Sequence, residues 1–297
     1  MEGGIFRINE KHYVNSTLEH SSNEFGSSFS LSSNGEEVYL FSGTPSGELT
    51  GYEYGFDYGA IEPGVTFGRY VNSVGKEHFV AQKSSSFNEA NGQPRVGPVI
   101  INQIMYNPPP GQFEFLELVN TSQNEVKLFE ESNYSPWKVE GIGFEFPMNK
   151  TLVPGQSVYL IEPQVSPSDF RAIFNLDTTV LVFNYSGSLK NEGEEITLFK
   201  SYKTYTDNKE DKVAYIRVDK VDYNDNQLWA DADGNGYALQ RIDSSAYGND
   251  PASWIATPPA MRIKNTYLPD AIEGVYYSRE LSALSGIAPF SSSTSAG

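Results

Sequence analysis

The sequence predicts an all-β chain made of two related modules, and three observations carry that expectation. Short runs rich in β-branched and aromatic residues recur along the chain, and each is ended by Gly, Pro, Asn or Ser. The 297 residues include 26 Gly, 17 Pro, 19 Tyr and 18 Phe, a composition suited to many turns and a sizeable aromatic core. One set of segments also occurs twice in the same order.

The repeat has three anchors. Residues 30–41 align without gaps on 188–199, 64–69 align on 236–241, and 79–81 align on 254–256. In the first copy, strand-like runs lie at 5–8, 25–31 and 38–41. Ser32-Ser33-Asn34-Gly35 gives a hairpin signal before the last of these. Residues 51–58 place Tyr52, Tyr54, Phe56 and Tyr58 on one strand face. The leading reading of that face is a core cover, and the second is a stripe that binds carbohydrate or a partner.

The second copy opens with two strands around one turn. The first, 99–106, ends at Pro108-Pro109-Pro110-Gly111, which cannot donate to a ladder, and the second runs over 113–119. Further apolar runs lie at 158–161, 179–183, 196–199, 213–221 and 239–242. Residues 200–212 are polar and read as an enlarged surface hairpin. Residues 166–174 read as a short helix with Ser166 as N-cap and Pro167 in its first turn. The expected boundaries are a partial module at 1–92, a linker at 93–97, a complete module at 98–263 and an extension at 264–297. Within that extension, 274–277 is the best strand and 290–297 is Ser-rich.

The segment Ile-Asn-Gln-Ile-Met-Tyr-Asn-Pro at 101–108, closely followed by Glu-Phe-Leu-Glu-Leu-Val-Asn at 114–120, resembles the opening of a lamin-tail domain. The likeness is to the version found in large bacterial surface and secreted proteins. The resemblance implies an immunoglobulin-like β-sandwich, in tandem here, with the first copy lacking the counterpart of 99–120. The three repeated anchors resemble the second half of such a domain.

Charge and composition narrow the function. A net charge of −17 repels phosphate backbones, so nucleic acid is a poor partner. The absence of Cys removes disulfides, thiolate chemistry and Cys-ligated zinc. No apolar run approaches the roughly 18 residues of a membrane-spanning helix. The opening Met1-Glu2-Gly3-Gly4 lacks the pattern of a signal peptide, so any export signal is expected outside this sequence.

Candidate site residues are few. Asp231, Asp233 and Asn235 alternate as in the first half of a calcium loop, but Ile242 stands where the closing acid belongs. A tight Gly turn is the leading reading there, and a weak calcium site the second; no other cofactor is implied. Glu117 shares a strand face with Phe113, Phe115 and Val119, and Arg241 shares one with Leu239. Each is expected to have a polar partner, and the two are candidates for one structural charge pair. His12, His20 and His78 lack metal-ligand spacing and read as surface residues. Among the indoles, Trp254 reads as core and Trp229 as partly exposed. No nucleophile–base pair is visible, so no catalytic residue is expected.

The expected function is a non-catalytic structural, adhesive or protein-interaction module of a larger exported or cell-surface bacterial protein, with extracellular localisation. A carbohydrate-binding module accompanying an extracellular hydrolase is the alternative. The expected partner is a protein or a glycan, with self-association through the incomplete first module as a further expectation.

Overall fold

The computed structural model describes residues 31–86 and 89–258. The runs expected at 5–8 and 274–277, His12, His20 and the Ser-rich end lie outside the described residues. The chain divides into two compact units. Unit 1 holds the described residues through Tyr70 together with Phe79–Pro94, and unit 2 holds Val71–His78 and everything from Arg95 onward. The assignment of Val71–His78 to unit 2 departs from a strictly linear boundary.

Unit 1 contains β1 (Gly35–Gly43), β2 (Leu49–Gly59) and most of β3 (Phe67–Val71) and β4 (Glu77–Ala81), of which Val71, Glu77 and His78 fall in unit 2. β1 and β2 form one antiparallel ribbon, and β3 and β4 form another. The aromatic face of β2 is graded. Phe56 stacks flat on Phe79 at 3.8 Å between centroids, and Tyr58 lies 5.5 Å from Phe67. Tyr52 and Tyr54 remain exposed.

Unit 2 contains β5 (Val99–Met105), β6 (Phe115–Asn120), β7 (Val126–Lys127), β8 (Phe129–Glu130), β9 (Ser135–Pro136) and β10 (Lys138–Glu140). β11 (Phe144–Glu145), β12 (Thr151–Leu152) and β13 (Ser157–Ile161) follow, then helix α1 (Pro167–Ile173). β14 (Leu181–Asn184), β15 (Gly193–Asp207), β16 (Glu210–Asn224), β17 (Ala238–Arg241) and β18 (Trp254–Thr257) complete it.

Two sheets face each other. The larger has the order β14-β13-β6-β5-β17-β18, and the smaller β11-β10-β15-β16. Ile101, Leu116, Leu118, Leu160 and Leu239 from the first meet Val139, Ile196, Leu198 and Val221 from the second in one apolar core. This is the layered sandwich that alternating strands produce when their apolar faces meet. The outer face of the larger sheet is covered as well. Phe170 and Phe174, from α1 and its C-cap, pack on Phe115, Tyr159 and Ile161. Burial on both sides explains why every residue of β5 and β6 is buried.

Local chemistry sets the ends of the elements. The Ser166 hydroxyl accepts from the Asp169 amide at 3.1 Å, and Pro167 follows as first helical residue. β15 and β16 form a long hairpin that turns at Asn208 and Lys209, both with positive φ, as a two-residue primed turn requires. β5 carries a bulge between Ile101 and Gln103, and that irregularity positions the polar groups described next.

The repeated anchors have matching local geometry. Gly35 pairs with Gly59 as Gly193 pairs with Asn224, with φ of +110° and +113°. Glu36 accepts from the Ser32 amide and from the Tyr58 hydroxyl. Glu194 accepts from the Lys190 amide and from the Tyr223 hydroxyl in the same way.

Candidate functional site

Three polar clusters and one cleft in unit 2 account for the residues singled out by the sequence. The first cluster centres on Glu117, only 1% exposed. Its carboxylate accepts from Asn102 Nδ2 at 2.6 Å, Ser157 Oγ at 2.8 Å and Tyr159 Oη at 3.0 Å. The β5 bulge supplies Asn102, and β13 supplies the two hydroxyls. A buried carboxylate needs hydrogen-bond partners, and these three donors supply them, so this cluster is a scaffold for the outer face.

The second cluster joins the two sheets. Arg241 Nη2 lies 2.5 Å from Asp219 Oδ2, and both side chains are buried. The Ile101 amide, at the bulge, donates to the same carboxylate oxygen at 2.8 Å. Trp254 sits 5.1 Å from the guanidinium carbon and donates from its indole to the Gly248 carbonyl at 2.8 Å.

This geometry corrects the expected Glu117–Arg241 pair. Each group has a polar partner, but they are not partners of one another. Glu117 shares its face with Phe115, which packs under α1. Arg241 shares its face with Leu239, which points between the sheets. Side chains alternate across a strand, so the two charges leave one sheet from opposite sides. Asp219 carries no local signal as the partner of Arg241, because parity within one strand does not say which residue of a second sheet will face it.

The third cluster is the turn at Asp231, Asp233 and Asn235. Asp233 accepts from Asn107 Nδ2 at 2.5 Å. Asn235 donates to the Asp231 carbonyl and accepts from the Tyr237 amide, both at 3.0 Å. Gly234 and Gly236 have φ of +66° and +84°, as a tight turn demands. The Asn235 side chain thus closes the turn itself. Among the described residues, no group of three or more His or acidic side chains is placed to hold a metal ion. Tyr106 lies nearby, its phenol pushed up to about 12 by burial and then by the Asp233, Asp225 and Asp231 charges.

The cleft has a volume of about 220 Å³. Lys76, His78, Asp222, Asn226 and Trp229 are among its lining residues. Lys76 Nζ bonds Asp222 Oδ2 at 3.1 Å. His78 Nδ1 contacts the Tyr247 hydroxyl at 3.0 Å, while its buried Nε2 has no partner among the described residues. Burial first, then the Lys76, Lys220 and Arg217 charges, lowers the His78 pKa and favours the neutral ring. Trp229 is half-buried, its ring 6.4 Å from that of Trp254.

Residues 93–225 match the family model described as Lamin Tail Domain. This stretch is a lamin tail domain. Its immunoglobulin-like fold agrees with the two facing sheets of unit 2. No curated protein and no solved structure matches the chain. The lamin tail match includes Glu117 and Asp219 but ends before Arg241 and Trp254. β17 nevertheless pairs with β5, joining Leu239 to Ile104, so the folded sandwich continues beyond the matched stretch. No helix of the described residues is long and apolar enough to cross a membrane.

Proposed function

We propose that this chain is a non-catalytic adhesive or protein-interaction module of a larger exported or cell-surface bacterial protein, and that unit 1 is a partial copy of the lamin tail domain in unit 2. The observation that carries the reading is the state of the buried acids. Glu117 accepts from three side-chain donors, and Asp219 is held by Arg241 and a backbone amide. A general acid or base needs a reachable proton, and both carboxylates are buried and engaged by these donors. The matched hairpin geometry of Gly35 and Gly193 supports the partial-copy part of the proposal.

A second reading, a carbohydrate-binding module, is favoured by the cleft. Trp229 offers an apolar edge, while Asp222, Asn226 and Lys76 offer polar groups beside it. Such mixed linings suit a sugar ring, which has an apolar face and a rim of hydroxyls. The test is to immobilise the chain and expose it to bacterial envelope fractions. Saturable retention that protease treatment of the fraction removes is the expected result. Retention of polysaccharide alone, lost in Trp229→Ala, would replace the first reading with the second. Turnover of a glycoside, peptide or phosphoester substrate would overturn the non-catalytic reading.

A further inference from the structure

β1 and β15 can be compared residue by residue, and unit 2 shows what lies against the far side of β15. There β10 pairs antiparallel with it, Lys138 opposite Phe199, Val139 opposite Leu198 and Glu140 opposite Thr197. Val139 and Leu198 are both buried in the sandwich core. The counterparts of Thr197, Leu198 and Phe199 on β1 are Tyr39, Leu40 and Phe41. Among the described residues β1 pairs only with β2. Tyr39, Leu40 and Phe41 are 42%, 53% and 48% exposed. An open edge carrying three consecutive large apolar residues is a template for another strand.

We propose that the Tyr39–Phe41 edge of β1 is a docking site for an extended segment of a partner protein, added antiparallel in the manner of β10. The segment carries an apolar residue opposite Leu40 and a basic residue opposite Phe41. The basic preference follows from charge. Glu53 faces Phe41 across the ribbon, Asp57 faces Glu37, and Glu36 lies on the same strand. In unit 2 the matching position of β10 is Lys138, whose ammonium lies 5.5 Å from the Phe199 ring. A second copy of this chain fits less well, because two β1 strands would bring their own acids into one sheet, and the chain carries a charge of −17.

The inference rests on the interaction reading and names its surface. The probe is a labelled peptide with the sequence of residues 135–142, Ser-Pro-Trp-Lys-Val-Glu-Gly-Ile, titrated with the full chain by fluorescence anisotropy. Saturable binding is expected, weakened at least tenfold by Leu40→Glu or Tyr39→Ser in the chain and by Pro at the Val position of the peptide. Both chain variants alter exposed side chains, and unchanged tryptophan fluorescence verifies that unit 2 remains folded. No saturation up to about 1 mM peptide, a bound free energy of only about 4 kcal/mol, overturns the proposal. So does binding indifferent to the Leu40 and peptide changes. A concentration-dependent dimer abolished by Leu40→Glu would overturn the choice of occupant in favour of a second copy. Envelope-protein retention that persists in Leu40→Glu would remove this edge while leaving the interaction reading standing.

Discussion

The β1–β2 and β15–β16 hairpins are alike in backbone and unlike in burial. Register, the positive-φ glycine and the Glu–Tyr contact coincide. Yet Leu198 has no exposed surface while Leu40 is 53% exposed, and Leu189 is 3% exposed where Leu31 is 59%. Local sequence therefore dictates the shape of the hairpin, whereas burial depends on what the rest of the fold places over it. In unit 2 that cover is the larger sheet, together with β10 at the edge. Hydrophobic free energy follows area removed from water, so the same leucine contributes very different amounts in the two settings.

The largest expected difference is at the position opposite that leucine. Leu198 faces Asp219 across its hairpin, and Leu40 faces Tyr54. Asp219→Ala strands the buried Arg241 guanidinium and should cost about 3–5 kcal/mol. Tyr54→Ala loses an edge contact to Phe79 and should cost about 1 kcal/mol. All three tryptophans lie in unit 2, so fluorescence during urea unfolding reads that unit. Hydrogen exchange over 35–59 reads the other. An Asp219→Ala effect below about 1 kcal/mol would show that the ion pair is not what joins the sheets.

The leucines themselves come next. Leu198→Ala should cost about 2–5 kcal/mol, the range for fully buried leucines. Leu40→Ala should stay within about 0.5 kcal/mol, as exposed substitutions do. Similar losses at both sites would mean that Leu40 is covered in solution, and the comparison would fail at its central point.

The glycines test the likeness. A Cβ at Gly35 would lie 2.8 Å from the Tyr58 carbonyl oxygen, and one at Gly193 would lie 2.4 Å from that of Tyr223. Both positions also need φ near +110°, so Gly35→Ala and Gly193→Ala should each cost about 1–3 kcal/mol. Local strain should be similar even though burial differs. A harmless Gly35→Ala, with Gly193→Ala damaging, would show that the β1 turn relaxes where its counterpart cannot.

The legible parts of this fold were those encoded over short range. The β-branched and aromatic runs of β5 and β6, the polar hairpin over 200–212, the Ser166 cap and the positive-φ glycine turns all follow from adjacent residues. β10 was not legible. Its three residues carry a single apolar side chain, Val139, too little for a period-two signal. The Asp219–Arg241 bond was not legible either, because it depends on which faces two separate sheets turn toward each other. The lining of the cleft, from 71–78 and 222–251, is likewise a product of tertiary folding. Parity within a strand assigned Glu117 and Arg241 to apolar faces, but assembly alone decided that these were different faces.

The smallest expected effects concern the repeated Glu–Tyr contact, where the same bond stands in two solvents. Glu36 and Glu194 each accept from a tyrosine hydroxyl at 3.3 Å and from a backbone amide at 2.9 Å. Tyr223 is 1% exposed, whereas Tyr58 is partly exposed. Glu36→Gln should change stability by no more than about 0.5 kcal/mol, because water competes for every group involved. Glu194→Gln should cost about 1 kcal/mol, the usual net value of a buried hydrogen bond. The phenols give a pH readout. Burial first, then the Glu194 charge and hydrogen bond, raises the Tyr223 pKa well above its ordinary 10.0; burial and Glu36 also raise Tyr58. A phenol with a raised folded pKa contributes stability that is fully present below its unfolded value. That stability is lost as pH rises from about 10 toward the folded value. Alkaline difference spectroscopy on Tyr58→Phe and Tyr223→Phe should therefore assign the later-ionising phenol to Tyr223. In Glu194→Gln that late ionisation should move toward lower pH, because the nearby negative charge is gone. An unchanged Tyr223 titration in Glu194→Gln would leave burial as the whole cause, and the carboxylate would then matter only for the backbone amide that it caps.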